Sequence, residues 1–218
     1  MNAGVVMGSP GLEHLLPLRL GYFLLHPDAA CACLPTATYE GVDRLWILPS
    51  PEELDELRAD GRHRLVALWD NYWDSAYDRT LHADRALAQR LQQAFREEGV
   101  PLDLGYIEIA RTPDDPEYGP GSTLWTEDFA VWRGVHDRLG GRPDGLRFLG
   151  LDLSRPVPTF HSAIFEPGPT RSDPELPRHL NRHCLFESEE RAATFLIKAN
   201  STTGSTLPFF VLSVWEVK

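Results

Sequence analysis

Apolar positions along this chain keep two rhythms, stretches with three- and four-residue spacing and short, nearly continuous runs, and the two alternate. Pro51–Asp60 reads as a helix. Ser50 and Glu53 form a capping box, Pro51 takes the first helical position, Leu54 and Leu57 share a face, and Gly61 stops it. The run Arg64–Trp69 behind it reads as a short strand buried on both faces. Leu81–Glu98 is the next helix, with Leu87, Leu91, Ala94 and Phe95 on its stripe and Gly99 and Pro101 closing it. Leu104–Ala110 is the strand that follows. Behind Thr126, Glu127–Leu139 places Phe129, Trp132, Val135 and Leu139 on one side and ends at Gly140-Gly141, before the strand Arg147–Leu153. The last pair is Glu189–Ala199, capped by Ser188 and carrying two acids at its positive end, and the strand Phe209–Val217.

Adding Leu18–Leu25 and Leu45–Leu48 as strands, the pattern predicts an α/β (or α+β) fold, a mixed β-sheet of about five to six strands covered by about four helices. A chain of 218 residues suits a single domain spanning 1–218. Thr112–Ser122 and the proline-rich run Ser154–Arg178 read as loops, because proline removes a backbone donor and disfavours helix in the residue before it. The first, near 111–122, is where two similar halves would meet, and Leu20-Gly21-Tyr22, Leu104-Gly105-Tyr106 and Leu149-Gly150-Leu151 are a faint echo of such a repeat.

Composition adds that the chain folds, with 42% apolar residues and six tryptophans, and that its net charge of −11 repels phosphate backbones. Nucleic acid is excluded as a partner on that ground, and a basic protein is favoured. No apolar run approaches the ~20 residues of a membrane helix, and Met1–Leu20 has no basic leader, so a cytoplasmic protein with no membrane partner and three reduced cysteines is expected.

The segment Trp69, Asp70, Asn71, Tyr72, Trp73, Asp74, Ser75, Ala76, Tyr77, Asp78 concentrates rings and carboxylates just past a predicted strand end. If helical, it stacks Asp70, Asp74 and Asp78 along one face, a like-charge arrangement that a basic partner relieves. Rings beside carboxylates are also what a hot spot for a basic surface requires, so Trp69, Asp70, Tyr72, Trp73, Asp74, Tyr77 and Asp78 form the candidate partner-binding set. The competing reading is that Trp69, Trp73 and Tyr77 plug the core while the aspartates face water. His26, Cys31 and Cys33, joined by His179, His183 and Cys184, are zinc-ligand types, but the Cys-x-Cys spacing is unlike the usual pairs and ordinary core cysteines explain it better. The sequence contains no nucleophile elbow, no His-Glu-x-x-His pair and no phosphate loop, so no catalytic residue and no cofactor are assigned.

The last third resembles a group of poorly characterised bacterial proteins, several of which look like immunity or accessory proteins. The resemblance rests on Phe148–Leu153, Phe160–Ile164, Leu180-Asn181 with Leu185-Phe186, and Pro208–Val211 with Val214–Val217. It implies a shared strand-helix-strand packing unit and no shared reaction. The leading expectation is therefore a non-enzymatic protein-binding protein, of the immunity or accessory kind, whose acidic, aromatic surface engages a basic partner. The alternative is an enzyme of a specialised biosynthetic pathway, with Asp70, His26 or Glu108 as acid/base groups in a pocket at the strand ends.

Overall fold

The computed structural model describes residues 17–25, 51–76, 81–111, 126–155, 161–164, 170, 172–201 and 208–218. In chain order the elements are β1 (Leu18–Leu25), α1 (Pro51–Ala59), α2 (His63–Ser75), α3 (Arg85–Glu97), β2 (Asp103–Arg111), α4 (Thr126–Leu139), β3 (Leu146–Arg155), β4 (His161–Ser162), α5 (Glu189–Asn200) and β5 (Phe210–Val217). The strands form one sheet in the order β1-β2-β5-β3-β4, and every pairing is antiparallel. The expected combination of sheet and covering helices is present, but the described sheet is antiparallel and not mixed. It has four long strands and the two-residue β4, and the described helices number five.

The extra helix is the main correction. Arg64–Trp69 is not a strand but the first half of α2. Leu65, Val66, Trp69 and Tyr72 are its buried residues, the i, i+1, i+4, i+7 stripe of an amphipathic helix, while Asp70, Asn71 and Asp74 face out. Tertiary packing selects this form, because Trp69 sits against Phe95 of α3 with ring centroids 4.4 Å apart. Leu81 and His82, expected as the start of the helix Leu81–Glu98, fall outside α3. His82 exchanges backbone hydrogen bonds of 2.8 and 2.9 Å with Tyr22 on the outer edge of β1, and α3 begins only behind Asp84, whose side chain accepts from the amides of Ala86 and Leu87. The Ser154–Arg178 run is not all loop, since it contributes the end of β3, all of β4 and a 3-10 turn at Leu176–His179. Leu45–Leu48, Ser50 and all of Thr112–Ser122 lie outside the described residues.

The glycines of the apparent echo have a physical role. Pairing register shifts between Arg19 and Gly21 and between Phe148 and Gly150, and these glycines carry φ of +118° and +146°. A Cβ on Gly21 would lie 2.5 Å from the His82 carbonyl oxygen, and one on Gly150 2.5 Å from Leu185 Cβ. The bulges are thus where Leu81–His82 and the Leu185–Phe186 segment dock.

Strand alternation assigns each side chain a face. On one face α4 packs Trp132 against a cluster that includes Leu18, Leu20, Ile107, Ile109, Phe210, Leu212 and Val214. On the other face there are two separate apolar patches. Tyr22, Leu24, Leu104, Tyr106 and Val217 lie under α1, α2 and α3, and Leu151, Leu153, Phe209 and Val211 lie under α5. Between the patches the middle of this second face carries polar side chains.

Candidate functional site

Two neighbouring rows cross that middle. Register pairs Arg19 of β1 with Glu108 of β2, and Glu108 with Ser213 of β5, so the three form a polar row. The adjoining row is aromatic on all four long strands, Tyr22, Tyr106, Trp215 and Phe148. Tyr22 and Tyr106 have centroids 5.4 Å apart, and Trp215 and Phe148 4.7 Å. Burial falls along the aromatic row, from Tyr106 under the helices through half-buried Trp215 to Phe148, which is 43% exposed. Over this junction lies Arg142, from the segment between α4 and β3. Its guanidinium is 4.0 Å from the Trp215 ring centroid, and Nη2 donates to Glu108 Oε1 at 2.5 Å.

Glu108 is 2% exposed. Burial holds its protonation above the ordinary carboxylate range, with Arg142, the Trp215 indole and Arg19 pulling the other way. Only one of its oxygens is answered. Glu108 Oε2, Tyr106 Oη, Trp215 Nε1 and Arg19 Nε are all buried without a hydrogen-bond partner, so the indole N–H favours the charged carboxylate without reaching hydrogen-bond geometry. Burial first, and then the Glu108 charge, also raise the Tyr106 phenol. At the sheet edge His136 of α4 accepts the Arg19 amide on Nδ1 at 3.0 Å, while its Nε2 lies 2.7 Å from the Arg19 guanidinium. Burial and then Arg19 lower the pKa of this imidazole, against the pull of Asp137.

On the α4 face a second carboxylate is enclosed. Asp152, 2% exposed and adjacent to Leu212 in register, accepts the Ser162 hydroxyl at 2.5 Å and the Leu153 amide at 2.8 Å, and burial raises it to about 6. It pins β4 to β3, beside Ser154, whose buried hydroxyl has no partner.

The residues singled out from sequence do not assemble as one surface. Trp69 and Tyr72 are core residues at 3% and 2% exposure, and the Tyr72 hydroxyl accepts the Leu24 amide at 3.3 Å. Trp73 is half-buried against the same cluster, so of residues 69–76 only Asp70, Asn71 and Asp74 are exposed, beside His63, Arg64 and Ala67 earlier in α2. Asp70 stands on a helix flank and not at a strand end, as the acid/base alternative required. Tyr77, Asp78, His26, Cys31 and Cys33 lie outside the described residues. Cys184, expected as a reduced thiol, is disulfide-bonded. It occupies a turn at φ +57°, braced by Asn181, whose side chain donates to the Leu149 carbonyl at 2.7 Å and accepts the His183 amide at 2.8 Å. A disulfide sulfur is no thiolate ligand, and the His179 ring packs on Phe195. Among the described residues no group of three or more His, Cys, Asp or Glu is placed to hold a metal ion.

Sequence reasoning singled out Glu108 but missed Arg142, Trp215, Tyr106 and Asp152 as site residues. A signal existed for both carboxylates, each a lone acid inside an otherwise apolar strand run. No helix of the described residues is long and apolar enough to cross a membrane. No protein-family model, curated protein or solved structure matches the chain.

Proposed function

We propose that this chain is a non-enzymatic protein-binding protein of the immunity or accessory kind, which uses a negatively charged surface to engage a basic partner. The observation that carries this reading is the charge arrangement of α1 and α2. Residues 51–76 hold seven carboxylates against three arginines. Arg58 turns to Asp55 in its own helix, and Arg64 turns to Glu97 at the end of α3 and to Glu98 just after it. Asp70 and Asp74 are left one turn apart on the exposed face, without a cation partner among the described residues. With Trp69 and Tyr72 anchoring the inner face, this acidic flank is presented rigidly, which favours fast, charge-steered association.

The test is affinity capture from the native host with the wild-type chain and an Asp70→Lys/Asp74→Lys variant side by side. A basic protein retained by the wild type and lost from the variant is the expected result. Equal retention by both would remove this flank from the account.

A further inference from the structure

We infer that the Glu108–Trp215 site receives an arginine side chain of the partner protein, and that Arg142 holds the site in the free chain as an internal stand-in. This deepens the partner-binding reading and rests on it. The chemistry is displayed by the chain itself, because the group lying between a buried carboxylate and an indole face is a guanidinium. That occupant fits incompletely. Arg142 reaches Glu108 through one nitrogen to Oε1 and leaves the buried Oε2 unanswered, whereas a guanidinium approaching in line with the carboxylate engages both oxygens. Arg142 is also replaceable. Its side chain is 47% exposed, and it lies in a short segment between Gly140 and Gly145, both at positive φ.

The rim matches a protein side chain. Phe148, exposed and packed at a 55° tilt against Trp215, extends the ring surface outward for the methylene stem of an incoming arginine. Lysine fits poorly, since its compact ammonium neither spans both carboxylate oxygens nor stacks flat on an indole. Over the whole chain a net charge of −11 draws basic surfaces in.

Calorimetric titration of the full chain with acetyl-Gly-Arg-Gly-amide, its lysine counterpart and argininamide tests this. Arg142→Ala is expected to bind the arginine peptide about tenfold tighter than wild type, because the competing occupant is gone. The lysine peptide binds more weakly, and adding Glu108→Gln to Arg142→Ala removes binding. Arginine-peptide binding to Arg142→Ala no tighter than to wild type, or unaffected by Glu108→Gln, would overturn the inference. Argininamide binding as tightly as the peptide would overturn it too, by assigning the site to a small guanidine. If Arg142→Ala does not fold, the Trp215 indole resonance of the wild-type chain decides. A saturable shift with the arginine peptide and not the lysine peptide supports the site, and no shift refutes it. Loss of partner capture in the Asp70/Asp74 variant but not in Glu108→Gln would leave the partner reading standing and sink this site alone.

Discussion

Glu108 and Asp152 are carboxylates inside otherwise apolar strands, and their surroundings give them different work. Glu108 faces a half-exposed arginine and keeps one oxygen unused, while Asp152 is sealed beneath a sheet face and spends its hydrogen bonds on Ser162 and Leu153. Asp152 rises from 3.8 to about 6 because burial penalises its charge. A carboxylate raised in the folded state supports folding while protonated, below about pH 4, and that support is lost as pH climbs through about 6. Asparagine keeps the acceptor for Ser162 and never ionises. Asp152→Asn is therefore expected to be more stable than wild type at pH 8, by up to about 3 kcal/mol, with the advantage fading by about pH 4. Urea unfolding across that pH range checks it, and a pH-independent difference would contradict the assignment.

At the scale of elements, the distinction that matters is between the two sides of α2. Trp69→Ala opens a hole against Phe95 and Tyr72 and is expected to cost about 3–5 kcal/mol, whereas Asp74→Ala on the outer side should change stability by less than about 0.5 kcal/mol. Denaturant midpoints of the two variants decide. Comparable losses in both would mean that the helix face is assigned wrongly. The same helix shows where sequence reading stops. Six residues from Arg64 to Trp69 fit a buried strand as well as a helix, and only Tyr72 and the partner Phe95 separate the two. Elements with both a cap and a stripe were legible to within a residue or two, as Ser188 before α5 shows. The site on the sheet was not legible. Arg19, Glu108 and Ser213 come from three strands and meet only through register, which periodicity does not encode, and Arg142 reaches them from a segment with no pattern at all.

Seen whole, the molecule covers one sheet face with α4 and the two ends of the other face with separate helical groups, leaving the polar row and the outer end of the aromatic row, Trp215 and Phe148, between them. The acidic flank of α1 and α2 belongs to one of those groups, so the two parts of the proposed partner surface, the flank and the Glu108–Trp215 site, lie on the same side of the sheet. Such a division predicts that the flank governs how fast a partner arrives and the sheet site how long it stays. The most direct measurement is stopped-flow association of the captured partner with wild type and with Asp70→Lys/Asp74→Lys, over a range of ionic strength. The account predicts a variant at least about tenfold slower at low salt, with the two rates converging as salt screens the charges. Equal rates at every ionic strength would contradict it.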